Sequence, residues 1–215
     1  MISKLHYISQ GKSPEEHLQN IKNACSSGAE TVQLRLKNVE EDIVLETAKK
    51  VKEITDNFQT RLIINDYYKV AIAIKADGVH LGKTDACPNL VRKELASWQI
   101  IGGTANTLKD CEALIEKKVD YIGLGPFRFT NTKENLSPVL GVAGYKVILE
   151  ELKTTVPIIA VGGITLNDAE SIIETGVYGL AVSSEITNNY NVISNFHKIL
   201  LKDRAQEQIF KFDKN

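Results

Sequence analysis

The sequence carries almost no net charge: 26 Lys and Arg stand against 27 Asp and Glu, leaving −1 at neutral pH. A chain so balanced has no field with which to gather nucleic acid or an anionic membrane, and neither is expected as a partner. Long apolar runs are missing as well. No stretch approaches the roughly 20 residues needed to span a bilayer. The opening MISKLHYIS is too short and too polar for a secretory signal and reads as a first strand. Cysteine is scarce. Cys25, Cys87 and Cys111 are scattered, odd in number and without C-x-x-C spacing, so neither a disulfide framework nor a zinc site is indicated. The expected compartment is the reducing cytoplasm. Internal repeats, low-complexity linkers and domain boundaries are also lacking. What remains, 43% apolar and 25% charged in 215 residues, is ordinary for a globular chain and predicts one domain over 1–215. Homo-oligomerisation is compatible with this composition.

Short apolar runs alternate with longer helical patterns. Leu5–Ile8, Thr31–Leu36, Leu62–Ile64, Gly78–Leu81, Ile100–Ile101, Val119–Ile122, Pro157–Val161 and Gly179–Val182 predict eight strands. A helix is expected from Pro14, with Ser13 as its N-cap and Gly28 near its end. Another spans Glu40–Asn57, with Ile43, Val44, Ala48, Val51 and Ile54 on one stripe. Further helices are expected over Val70–Ile74, from Pro88, and over Leu108–Lys117, Gly144–Lys153, Leu166–Glu174 and Val192–Leu201. The charged tail 204–215 reads as a helix extension that frays. Eight βα units predict an α/β protein, a (β/α)8 TIM barrel. A doubly wound open sheet fits less well, because no strand reads as an edge.

In such a barrel the chemistry sits at the C-terminal strand ends. The second strand, TVQLRLK, alternates Val32, Leu34 and Leu36 with Gln33, Arg35 and Lys37. Burying an unpartnered amide costs at least ~2 kcal/mol and a charge more, so this polar face must open onto an anion or an internal ion pair. No single carboxylate would satisfy both cations, which favours the anion. The third strand ends in Asn65-Asp66, where Asp66 is either a helix cap or a ligand. The fourth runs through His80 to Gly82 and Asp85. Asp66 and Asp85 end neighbouring strands and together could hold Mg²⁺, which takes one or two carboxylates plus substrate phosphates. The fifth strand ends in Gly102-Gly103-Thr104, followed by Asn106 and Thr107, one hydroxyl being the next helix's N-cap. The sixth opens into Gly125-Pro126 and then Arg128, Thr130, Thr132 and Lys133, all donors of the kind a phosphate needs. The seventh ends in Gly162-Gly163 and the eighth in Ser183-Ser184, the usual phosphate position of this fold. Gly163, Ser183 and Ser184 suit a monophosphate. Arg35, Lys37, Asn65, Lys133 and Mg²⁺ suit a diphosphate. One pocket of each kind suggests a transferase that expels pyrophosphate.

With these segments in view, the chain resembles the thiamine phosphate synthase family. The likeness runs through QLRLK at 33–37, IND at 64–66, ADGVHLGKTD at 76–85, DYIGLGPFRFTNTK at 120–133, VGGI at 161–164 and AVSSEI at 181–186. It implies a (β/α)8 barrel that joins hydroxymethylpyrimidine diphosphate to thiazole phosphate, giving thiamine phosphate and pyrophosphate. By resemblance, Gln33, Arg35, Lys37, Asn65 and Lys133 hold the diphosphate with Thr104 beside them, Lys133, Arg35 and Lys37 acting in catalysis. Asp66 and Asp85 carry Mg²⁺, and His80 lies near the pyrimidine. Thr130 and Thr132 face the thiazole phosphate, with Gly163, Ser183 and Ser184 on its phosphate. Pyrophosphate leaves first in this family, so no protein nucleophile is required. The chain departs from the usual pattern at Lys83 for Gln, Thr104 for Ser and Asn106 for His; Lys83 is expected to put a positive charge near Asp85 or on the diphosphate. A related thiazole tautomerase and a non-catalytic phosphate-binding barrel are the alternatives, and pyrophosphate release separates them.

Overall fold

The computed structural model describes residues 2–129 and 138–201. Eight parallel strands close into a barrel in sequence order, β8 returning to pair with β1. They are β1 Leu5–Ile8, β2 Thr31–Leu34, β3 Arg61–Asn65, β4 Gly78–Leu81, β5 Ile100–Ala105, β6 Tyr121–Leu124, β7 Ile158–Val161 and β8 Gly179–Val182. The helices between them are α1 Pro14–Ser26, α2 Glu41–Asn57, α3 Tyr68–Ala73, α4 Pro88–Glu94, α5 Leu108–Glu116, α6 Gly141–Leu152, α7 Ala169–Ile173 and α8 Ser184–Asn188, with α9 helical over 192–201. No described helix is long and apolar enough to cross a membrane. The charged tail and the Thr130–Lys133 stretch lie outside the described residues.

Local chemistry sets most boundaries. Ser13 accepts from the Glu16 N–H at 3.3 Å, and Pro14, which lacks an N–H, follows it. Thr107 and Asp110 form a reciprocal capping box on α5. The expected helix over 166–174 is instead a 3₁₀ turn, Leu166–Asp168, leading into α7. On α2 the buried stripe is Val44, Thr47, Ala48, Val51 and Thr55, while Ile43 is 43% exposed. The threonines can be buried because each hydroxyl bonds a helix carbonyl: Thr47 to Ile43 O at 2.7 Å, Thr55 to Lys52 O at 3.0 Å.

The strands are covered on both sides, as a parallel barrel requires. Leu5, Tyr7, Val32, Leu34, Leu62, Ile64, Val79 and Leu81 face the helices and join the main apolar core. The barrel interior has a smaller core of Tyr121, Ile159 and Ala181, with Ile8, Ile100 and Val161 against it. Gly102 and Gly103 belong to β5 itself, paired with Tyr121 and Ile122, and do not end it. A Cβ on Gly102 would lie 2.1 Å from Tyr121 Cζ, and one on Gly103 2.6 Å from Leu114 Cδ2. The pair therefore makes room for an aromatic ring inside the barrel and for α5 outside it, and the strand expected over Ile100–Ile101 runs on through both glycines to Ala105.

His6 points into the same interior, edge-on to Tyr121 at 5.2 Å, with its Nε2 bonded to the Ser3 carbonyl at 3.0 Å. Burial lowers its pKa from 6.5 to about 4, against the opposing Ser3 hydrogen bond and helped by Arg61. The unfolded chain therefore binds this proton more readily than the folded one, and stability present above pH 6.5 is lost as pH falls toward 4. Urea titrations across that window should show a loss on the order of 3 kcal/mol or less from this group. His6→Gln should flatten the slope; an unchanged slope would assign the acid sensitivity to other groups.

Candidate active site

The polar face of β2 turns inward as its alternation requires. Gln33 is buried, and Arg35, just past the strand, lies beside it. Both line a recess at the barrel mouth with His6, Ile8, Asn65, His80, Thr104, Tyr121 and Gly123. Burial draws the Arg35 guanidinium below its ordinary pKa, and the Asp66 carboxylate opposes that shift. Asn65 Nδ2 is buried and has no hydrogen-bond partner among the described residues, a free donor on the wall of the recess. His80 bonds Tyr121 OH through Nδ1 at 3.0 Å and Thr104 Oγ1 through Nε2 at 2.9 Å, so its ring is fixed across the recess. A more open groove of about 730 Å³, lined by Lys153, Pro157 and Tyr178 among others, lies at the opposite end of β7 and β8. That end of a barrel serves stability, and the chemistry-bearing side chains are elsewhere.

Beside the recess, the Asp66 and Asp85 carboxylates flank Gly82, close enough for each to shift the other's titration. The pairing of β3 with β4, Asn65 opposite His80, brings the two following loops together. Asp66 adopts a left-handed backbone, φ 66°, and does not cap α3; Tyr67 holds the cap position without a side-chain bond. The helix-cap alternative for Asp66 is thereby removed. Its carboxylate meets the Lys37 ammonium in an ion pair. Burial opposes its charge, but the bond from Asp85 and the Lys37 ammonium hold its pKa below the usual range. For Asp85, burial and the neighbouring Asp66 push the pKa up to about 6. Asp85 also accepts from the Gly82 N–H at 2.6 Å, and a Cβ on Gly82 would sit 2.8 Å from Asp85 Oδ2 and 3.9 Å from Asp66 Oδ1. The missing side chain keeps open the space between the two carboxylates. Hard oxygen donors converging on a space that a Cβ would fill suit Mg²⁺, which needs few protein ligands.

Lys83 does not approach this pair. It forms an ion pair with Asp110 at 2.6 Å. Asp110 in turn accepts from the Asn106 and Thr107 N–H groups, each at 2.9 Å, and Asn106 Nδ2 donates to Gly125 O. The departures at Lys83 and Asn106 thus tie the loops after β4, β5 and β6 together. Asp110 was legible as a capping residue in T-x-x-D, but not as Lys83's partner.

On the other side of the mouth, Ser183 Oγ donates to Ile8 O at 2.7 Å and Ser184 Oγ to Gln10 Oε1 at 3.1 Å. Gly163, φ 68°, is exposed nearby in the chain after β7. The loop after β6 docks on this turn: Phe127 N–H donates to Val161 O at 2.9 Å and Arg128 N–H to Gly162 O at 3.0 Å. Its far end returns, Leu140 and Gly141 donating to Pro126 O and Phe127 O, each at 3.0 Å. Thr130, Thr132 and Lys133 fall outside the described residues. Asp168 is the residue a sequence reading misses here, and Arg128, expected among the phosphate donors, is committed to it. Arg128 pairs with Asp168 at 2.6 Å, lies over the Phe127 ring, and packs its stem on Gly163, where a Cβ would be 2.4 Å from Arg128 Cγ. Asp168 also closes the Thr165 capping box.

A closed (β/α)8 barrel with a half-buried Arg35, an orphaned amide and a carboxylate pair at its C-terminal mouth belongs to the class of barrel enzymes that handle anionic substrates. The comparisons with known proteins narrow this further. The family model for thiamine monophosphate synthase matches residues 5–186, and the chain belongs to that family. It is 46% identical over 192 residues to the thiamine-phosphate synthase of Flavobacterium johnsoniae, covering 88% of this chain and 91% of that one. It is 45% identical to that of Flavobacterium psychrophilum, covering 93% and 100%. The solved thiamine phosphate pyrophosphorylase from Pyrococcus furiosus superposes with a TM-score of 0.78 at 29% identity, covering 93% and 94%.

The Arg128 side chain separates two contributions. Its pair with Asp168 is 47% and 14% exposed, so the charge contact is screened and adds less than about 1 kcal/mol. Its stem covers Gly163. Arg128→Ala should therefore cost about 1–2 kcal/mol of unfolding free energy, and Arg128→Met, which keeps a stem, under ~1 kcal/mol. Equal losses in urea titration would assign the contribution to the ion pair.

Proposed function

We propose that this transferase joins hydroxymethylpyrimidine diphosphate to thiazole phosphate, with the diphosphate on the β2–β4 side of the mouth and the monophosphate on the β7–β8 side. One observation supports this reading above the others. Gln33, Arg35 and the unpaired Asn65 amide face one recess, and the Asp66–Asp85 pair borders it. A diphosphate offers acceptors to the first group and a metal-bound edge to the second.

The reaction breaks the C–O bond between the pyrimidine methylene and the diphosphate, and both electrons leave with pyrophosphate. The carbon is left as a cation, and the thiazole nitrogen's lone pair forms the new C–N bond. Asp66 and Asp85 would hold Mg²⁺. When bound there, the metal offsets the charge growing on the departing diphosphate. Arg35 and Lys37 add fixed positive charge on the same side, and Lys133 adds a third cation from the loop after β6. Gln33 and Asn65 donate to diphosphate oxygens and orient the leaving group. His80 and Thr104, bonded to each other at 2.9 Å, border the pyrimidine. Thr130 and Thr132 face the thiazole phosphate, and Gly163, Ser183 and Ser184 bind its phosphate. No side chain attacks either substrate in this reading.

Pyrophosphate release with both substrates and Mg²⁺ tests the reading. The synthase reaction yields one pyrophosphate per thiamine phosphate; a tautomerase or a binder yields none. Lys133→Ala should lower the coupling rate about 100-fold while thiazole phosphate binding changes little, because charge grows on the diphosphate only as the bond breaks. Near-normal turnover would remove Lys133 from this role.

A further inference from the structure

We propose that Gln10, at the end of β1, is a binding residue for the phosphate of the thiazole substrate. The inference rests on the reading of Gly163, Ser183 and Ser184 as the monophosphate site. It starts from where the serine protons go. Ser183 Oγ donates to the Ile8 carbonyl at 2.7 Å, and its contact with Gln10 Oε1 is long, at 3.4 Å. A hydroxyl has one proton, so Ser183 is already committed to β1. Ser184 Oγ donates to Gln10 Oε1 at 3.1 Å. Both serine protons are thus held by acceptors at the end of β1. An ionised phosphate monoester accepts and cannot donate, so it needs further N–H or O–H groups at this point.

Gln10 carries them. With Oε1 turned to the serines, its Nε2 bears two hydrogens that bond no described residue, on a half-buried side chain at the mouth. The backbone beneath it is fixed: Asn20 Nδ2 donates to Gln10 O at 2.8 Å, and Tyr190 OH donates to Asn20 Oδ1 at 2.8 Å. The amide therefore holds Ser184 in place. It offers two donors, and frees the Ser184 proton, when a phosphate arrives. The arrangement favours a phosphate monoester over a neutral thiazole alcohol.

The test uses the full chain, the pyrophosphate-release assay and direct calorimetry with thiazole phosphate. Gln10→Glu keeps the shape but replaces both donors by an acceptor and adds a negative charge. It should raise KM and Kd for thiazole phosphate about tenfold or more, with KM for the pyrimidine diphosphate changed less than about twofold. Gln10→Ala should raise the same constants roughly three- to tenfold. Ser184→Ala is the companion variant. If Ser184→Ala weakens thiazole phosphate binding while both Gln10 variants leave it unchanged, the Gln10 role is overturned and the site stands. If all three leave it unchanged, the monophosphate site itself is misassigned and the inference falls with it. Equal rises for both substrates in Gln10→Glu would make its effect a general distortion and also overturn the inference.

Discussion

The contact between Asp66 and Asp85 is the constraint on which the mouth of this barrel depends. Two carboxylates this close repel unless a proton or a cation lies between them. Lys37 offsets that repulsion by pairing with Asp66, and burial beside Asp66 makes Asp85 hold a proton more readily than an ordinary carboxylate. The backbone makes the contact unavoidable. β3 and β4 are adjacent, Asp66 is held in a left-handed conformation, and Gly82 adds no side chain between the carboxylates. A pair held this close, next to Arg35 and the Asn65 amide, is a donor set suited to a divalent cation and a diphosphate.

The remaining loops hold this side of the mouth against the other. Lys83 with Asp110, and Asn106 with Gly125, link the ends of β4, β5 and β6. Arg128 with Asp168, and Phe127 with Val161, link β6 to β7. Ser183 with Ile8 links β8 to β1. These ties make a ring of fixed donors around a barrel whose interior is part apolar plug, part polar recess. Joining two phosphorylated substrates requires both anions close together, which a fixed ring of N–H groups and cations tolerates better than bulk water does.

Much of this was legible in the sequence. All eight strands and the βα alternation followed from short apolar runs separated by helical patterns, and the inward turn of Gln33 and Arg35 followed from period-two alternation on TVQLRLK. The misreadings have physical causes. Gly102-Gly103 looked like the end of a strand because glycine is read locally, whereas Tyr121 and Leu114, distant in sequence, require its missing side chain within the strand. Ile43 looked like core by its apolarity, yet threonines with satisfied hydroxyls took the buried stripe of α2. Lys83 was expected beside Asp85 because they are two residues apart, but Asp110 on the next unit attracts it. Arg128 was read as a phosphate donor, yet Asp168, distant in sequence, takes its charge. Asp168 and Gln10 carry no local signal; only the folded loops show what they touch.

The most direct measurement of the carboxylate account is a calorimetric titration of Mg²⁺ into the protein, alone and with the pyrimidine diphosphate present. Weak binding alone and binding at least about tenfold tighter with the diphosphate is the predicted result, because two carboxylates supply too few ligands until phosphate oxygens join them. Asp66→Asn and Asp85→Asn should each weaken the second titration while leaving the melting temperature close to that of the parent. Mg²⁺ binding that is equally strong with and without the diphosphate, or indifferent to both substitutions, would contradict the account.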